Sequence, residues 1–226
     1  MTTTADELAF LAREFRSGVP GPGLPYLQGT SLEHLTWFRP FADAILSRVH
    51  EFEAFPIALV TVCSWAKPYS QSYVHYGLRR ALFQMGLLGG IEYWHLSSAG
   101  MIPSELETKY PFCAYDWDNA EASEVELSAL KEALKDYFER WWLLYGQCKS
   151  KVVTYFREGS NTNQAIALCK ISSCGNPPCR VQAGGWSSEE VRKEVTLNGF
   201  YSDPDIVLLD VENLKMLYQA LKDAQS

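Results

Sequence analysis

The run Phe55-Pro-Ile-Ala-Leu-Val-Thr-Val62 constrains this chain more than any other stretch of its sequence. It is apolar without alternation and rich in β-branched side chains, so neither of its faces suits water. Such a segment is stable as a central strand covered on both sides, and that requires helices above and below a sheet. Ile91-Glu-Tyr-Trp-His-Leu96 reads as a second strand, and residues 151–156, 165–171 and 205–209 as further ones. Helical patterns occupy residues 31–50, with Ser31 as cap and Pro40 as a kink or break, and 70–88, ended by Gly89-Gly90. Ser123-Glu-Val-Glu126 matches a capping box and opens a long helix to about residue 145, with Leu127, Leu130, Leu134, Tyr137, Phe138, Trp141 and Leu144 as its core face. A last helix spans 212–224. The alternation predicts an α/β fold: a single three-layer domain, residues 55–226, whose mainly parallel central sheet is flanked by helices. Residues 1–54 read as an N-terminal helical arm, with an amphipathic helix at 6–16 and a Pro/Gly loop at 20–25.

Charge narrows the partners. With 20 basic and 27 acidic residues, a net charge of −7 argues against a protein that coats nucleic acid non-specifically. It leaves open an enzyme gripping one nucleotide. Between residues 145 and 185 the bases Lys149, Lys151, Arg157, Lys170 and Arg180 face a single acid, Glu158, whereas 104–139 is strongly acidic. A local basic stretch on an acidic chain is the pattern of one steered contact with a polyanion, or of an ordinary solvated face. No run of about 20 uncharged apolar residues is present. The start of the chain lacks a signal-peptide pattern, which gives the expectation of a cytoplasmic protein. Six cysteines in such a compartment point away from disulfides. Cys148, Cys169, Cys174 and Cys179 form a loose zinc candidate, their spacing wider than the usual knuckle pairs. No cofactor is otherwise expected.

Chemistry concentrates after the first strand, where open α/β sheets place their binding crevice. Cys63-Ser-Trp-Ala-Lys-Pro-Tyr-Ser-Gln-Ser-Tyr-Val-His75 brings together a thiol, an amine, hydroxyls, aromatic rings and an imidazole. A helix N-terminus and a nearby lysine both stabilise a thiolate, so Cys63 has the outline of an activated nucleophile. Ser72, His75 and Arg79 share one face of the following helix. The bland alternative is a strand-end cysteine, a turn and a core histidine.

The pattern Cys63-x3-Lys67-Pro68-Tyr69-x2-Ser72-x2-His75 resembles the signature of the archaeosine synthase core-domain family. A second segment, Pro103-Ser-Glu105-Leu-Glu107-Thr-Lys-Tyr110-Pro111 followed by Tyr115-Asp116, is similar to the motif that follows it in that family. Val62 departs from the proline usual before the cysteine. The resemblance covers roughly residues 55–116, and its tRNA-acting members are larger, with RNA-binding modules that include a PUA domain. The chain therefore looks most like the small stand-alone DpdC-type hydratases of bacterial 7-deazaguanine DNA-modification clusters. What the resemblance implies is a lyase of the nitrile hydratase type, converting 7-cyano-7-deazaguanine in DNA to the 7-amido base without a cofactor. The alternatives it leaves are an amidine-forming or lysine-transferring modification of the same base in tRNA, and a non-catalytic reader of modified bases. Partner proteins of a DNA-modification system are a further expectation.

On that reading Cys63 adds to the nitrile carbon, and His75 or Asp116 protonates the nitrogen and then activates water. Lys67 holds the thiolate or a phosphate, while Ser72 and Ser70 donate to the developing anion. Glu105 or Asp116 accepts from the guanine-type N1–H and exocyclic amine, and Tyr69 or Tyr115 stacks on the base. The rival mechanism leaves Cys63 to shape the pocket while a carboxylate-activated water attacks directly.

Overall fold

The computed structural model describes residues 32–52, 55–64, 66–115, 121–149, 151–171 and 177–225. The apolar run forms β1 (Ile57–Val62), buried along its whole length, at the centre of a five-stranded sheet. Its neighbours are β2 (Ile91–Ser97) and β4 (Lys151–Arg157), both parallel to it. Beyond β2 lies β3 (Gly100–Pro103), antiparallel, and beyond β4 lies β5 (Cys179–Ala183), parallel, giving the order β3-β2-β1-β4-β5. After β2 is laid on one side of β1 the chain crosses to the other, so the topological switch point falls between β1 and β4.

In register, Thr61 pairs with His95 and Leu59 with Tyr93, so these four point to one face, while Val60 and Trp94 point to the other. The first face is covered by α2 (Tyr73–Gln84), a 3-10 helix (Pro204–Leu209) and α6 (Val211–Gln225). The second carries α1 (Leu32–Ser47), α3 (Glu124–Leu144) and the short α4 (Asn161–Ala167). Rings set the packing: Trp94 meets Trp141 at 5.4 Å on the second face, and on the first His95 meets His75 edge-on at 4.7 Å. The expected three-layer α/β architecture is what forms. No helix among the described residues is long and apolar enough to cross a membrane.

Several local expectations fail for identifiable reasons. Residues 165–171 are not a strand. Ser160 accepts from Asn163 N at 3.2 Å and caps α4, whose hydrogen-bonded turn outweighs the alternating pattern. Residues 205–209 are not a strand either: Pro204 stands in the first turn and Asp203 accepts from Asp205 N at 2.8 Å, which winds the segment into the 3-10 helix. Pro40 does not break α1 in two; it and Thr36, whose carbonyl it leaves without an N–H donor, both lie at exposed positions. On α3 the capping box is present, but Leu144 is exposed and Trp142 is buried in its stead. β3, β5 and α5 (Glu189–Val195) were not legible from pattern. Residues 32–52, assigned to an arm, belong to the packed body: Phe38 and Ile45 have no exposed surface. The helix expected at 6–16 and the Ser31 cap lie outside the described residues.

Candidate active site

Cys63 follows β1 directly, at the carboxyl edge of the sheet, and is half-buried. The chain then turns through Ser64, Ala66 and Lys67, makes a 3-10 turn (Tyr69–Gln71), and enters α2. Ser72 sets that entry: its Oγ accepts from His75 N at 3.2 Å, so the predicted anion donor is first of all the helix cap. Lys67 donates to the Ser64 carbonyl, which folds the loop back over itself. Its Nζ stands 4.5 Å above the Tyr115 ring and 5.3 Å from that of Tyr69.

Tyr69 and Tyr115 join hydroxyl to hydroxyl, with Ser97 from the end of β2 beside both. Burial pushes both phenols well above their ordinary range, and the neighbouring Cys63 sulfur, when charged, pushes them further. Two sequence motifs, 46 residues apart, thus meet at one point next to the thiol. One predicted role is corrected here. Neither tyrosine offers a face on which a base can stack, because Tyr69 is 0% and Tyr115 1% exposed. The Tyr69 ring is taken by His95 at 4.4 Å, and that of Tyr115 by Phe38 at 4.8 Å.

Behind Tyr69 lies a polar chain inside the first layer. His95 Nδ1 is 3.2 Å from Thr61 Oγ1, and its Nε2 is 3.5 Å from Glu107 Oε2. Glu107 also accepts from Ser70 N at 3.1 Å and pairs with Arg79 at 3.4 Å, so it pins the loop that carries Tyr69. Burial works against the Glu107 charge, but His95, Ser70 and Arg79 outweigh it and hold the carboxyl below its usual range. His75 has no exposed surface, and neither ring nitrogen has a hydrogen-bond partner among the described residues; the Val62 carbonyl is near but outside bonding geometry. Burial, then His95 and Arg79, depress its pKa well below the ordinary imidazole value, so it is neutral at pH 7. A charged general acid is therefore not what this position provides.

Glu105 sits exposed on a 3-10 turn (Ser104–Leu106) and lines a cavity of about 190 Å³ with Arg79 and Tyr93, away from the thiol. Asp116 lies outside the described residues. Sequence reasoning missed His34, which approaches the Tyr115 ring at 5.7 Å and Ser98 Oγ at 3.4 Å. Burial, aided by Lys67, lowers its pKa to about 4. It also gave no role to His95 or Glu107, although an imidazole at an inward position of a buried strand was the available signal.

Among the described residues no group of three or more His, Cys, Asp or Glu is placed to hold a metal. Cys148 and Cys179 are exposed and Cys169 is half-buried against α3; Cys174 lies outside the described residues. The basic stretch is divided by pairing. Lys149 is buried against Glu92 at 2.7 Å and Arg157 pairs with Asp205 at 3.0 Å, so neither presents an uncompensated charge.

Fold and site together define a three-layer α/β protein with a half-buried cysteine at the carboxyl edge of its sheet. A family model described as "Domain of unknown function (DUF5591)" matches residues 38–168, more than half of the chain, and the chain belongs to that family. No curated protein matches it. It is similar to the crystal structure of AF0587, a protein of unknown function, at 18% identity and a TM-score of 0.44. That likeness covers 79% of this chain and 49% of the other, so the chain spans about half the length of that protein.

Proposed function

We propose that the chain hydrates the nitrile of 7-cyano-7-deazaguanine in DNA, through a thioimidate on Cys63. The observation that carries this reading is the meeting of both motifs near one thiol: Lys67 and the Tyr69–Tyr115 hydroxyl pair neighbour Cys63 at the carboxyl edge of the sheet. The thiolate is the form that attacks. The sulfur adds to the nitrile carbon, one C–N π bond opens, and the nitrogen takes a proton from the tyrosine pair, which replaces His75 in the role of acid. Water then adds to the thioimidate carbon, leaving one proton on nitrogen. The second proton returns to the tyrosine pair as the thiolate is expelled, which leaves the amide and restores the donor, so the net change is one water. A tyrosine pair is a weak acid, and a nitrogen kept as neutral amine is a poor leaving group, which favours amide over carboxylic acid.

Incubation of the protein with single-stranded DNA carrying the cyano base, and separately with tRNA carrying it, tests this. The mass of the base is expected to rise by one water in DNA. A gain of one ammonia or of one lysine, confined to tRNA, supports group transfer instead. Cys63→Ala is expected to lower the rate by at least about 10³-fold, as removal of a nucleophile does; retention of most of the activity favours direct attack by water.

A further inference from the structure

The reaction proposed above needs a group that accepts from the guanine-type N1–H and exocyclic amine. Glu105, one of the two nominated from sequence, faces another cavity. A second cavity, of about 360 Å³, lies beside the thiol loop and is lined by Ser64, the residue after Cys63, by Gln71, Tyr73 and Tyr76, and by Tyr201 and Asp203. Its size is at the low end of small-molecule sites, roughly 300–1,000 Å³.

Its aromatic wall is built. Tyr73 and Tyr201 stack at 4.3 Å with planes 7° apart, and the Tyr73 hydroxyl donates to the Val195 carbonyl at 2.8 Å. Tyr201 reaches that place through a turn in which Leu197, Asn198 and Gly199 all take positive φ, at 50°, 56° and 86°. Leucine enters that region only at a cost, and the Tyr201 N–H to Thr196 carbonyl bond at 3.1 Å helps hold the turn closed. Tyr76, one turn along α2 from Tyr73, adds a ring that is 58% exposed. A carboxylate completes the lining. Asp203 caps the 3-10 helix through Oδ1, which accepts from Asp205 N at 2.8 Å and restrains the side chain.

We infer that this cavity is the base-recognition site, and that it takes a guanine-type base stacked on the tyrosine wall with its N1–H and amine directed at Asp203. Rings provide a sequence-tolerant platform for a base lifted out of a helix. The carboxylate supplies the selection: adenine presents an acceptor where guanine presents N1–H, and a free phosphate meets repulsion. Ser64 in this lining is the residue that follows Cys63, so the cavity borders the loop that carries the thiol. The inference rests on the nitrile-hydration reading for its substrate, but it is tested by binding alone.

Calorimetric titration of the full chain with 7-cyano-7-deazaguanosine, guanosine and adenosine decides it. The two guanine-type nucleosides are expected to bind at least about tenfold more tightly than adenosine. Asp203→Asn, which keeps an acceptor for the Asp205 N–H, is expected to erase that preference, and Tyr76→Ala, at an exposed position, to weaken all three. Circular dichroism melts confirm that both variants fold. Equal affinities for guanosine and adenosine, unchanged binding by Asp203→Asn, or no nucleoside binding to the parent chain overturns the inference. The base-mass assay on DNA is independent of these readouts, so hydration of the nitrile together with an unaltered Asp203→Asn variant would overturn this site and leave the reaction standing.

Discussion

His75, His95 and His34 are imidazoles kept neutral by burial, and that has a thermodynamic consequence. Each binds a proton less readily in the folded chain than in the unfolded one, where the ordinary value is 6.5. Their contribution to stability is complete above that pH and is lost as pH falls through the window below it, down to about 4 for His34. Glu107 adds a loss of the same sign lower down, because its depressed carboxyl stabilises the fold above 4.5 and ceases to do so as it protonates. Thermal melts at pH 7.5 and 5.0 are expected to differ by more than about 4 °C in a chain of this size, since ~1 kcal/mol moves the midpoint by 2–4 °C. His75→Leu, which removes a buried ring whose nitrogens have no hydrogen-bond partner among the described residues, narrows that gap; an identical gap in the variant contradicts the assignment. At this scale the sequence was a partial guide. Cys63, Lys67, Tyr69 and Tyr115 were legible because motif spacing survives folding. Burial was not: nothing in Tyr69 or Tyr115 as letters distinguishes a base-stacking ring from one locked hydroxyl to hydroxyl in the core.

Elements were legible where period and caps agreed. β1, β2, β4, α3 and α6 combine a clear pattern with sharp ends, and the capping box at Ser123 opens α3 where it was expected to. Segments 165–171 and 205–209 were misread because a short apolar run has no period of its own and the residues just before it, Ser160 and Asp203, decide its winding. β3 was missed because its four residues are held by tertiary packing. Gly100 shows how tightly: its φ is 120°, and a Cβ there would stand 2.8 Å from Ala42 Cβ and 3.3 Å from Ala42 Cα on α1. Gly100→Ala therefore strains the strand and pries α1 from the sheet at once. A loss of about 2–4 kcal/mol, read from urea denaturation, is expected from the combined φ penalty and overpacking; a loss within 0.5 kcal/mol, on the order of an ordinary surface change, contradicts this packing.

Across the whole molecule, polar groups tie the layers together at opposite ends of the sheet. At the amino-terminal end, Glu92 on β2 accepts from Lys149 at 2.7 Å, Tyr145 at 3.1 Å and Phe55 N at 3.2 Å, with Trp94 Nε1 on its other oxygen. Both charged side chains of the pair are about 5–6% exposed, so their desolvation is met only while all partners are present. Lys149→Met leaves Glu92 buried without its cation and is expected to cost about 3–5 kcal/mol, whereas Glu92→Gln with Lys149→Met recovers much of it. Equal losses in the single and double variants refute that coupling. The carboxyl-terminal end carries Cys63 and the Thr61–His95–Glu107 chain, a second polar network separate from this one. The architecture was readable from alternating strands and helices; the division at residue 54 was not, because composition marks loops and cannot tell a tethered helix from a packed one.

The proposed reaction turns on a covalent bond between Cys63 and the nitrile carbon, and intact-protein mass spectrometry after rapid acid quench with a cyano-deazaguanine nucleoside reads that bond. A protein heavier by one nucleoside is expected, the adduct mapping to the peptide that contains Cys63 and vanishing in Cys63→Ala. Hydration proceeding with no adduct at any time, or an adduct equally abundant in Cys63→Ala, would contradict it.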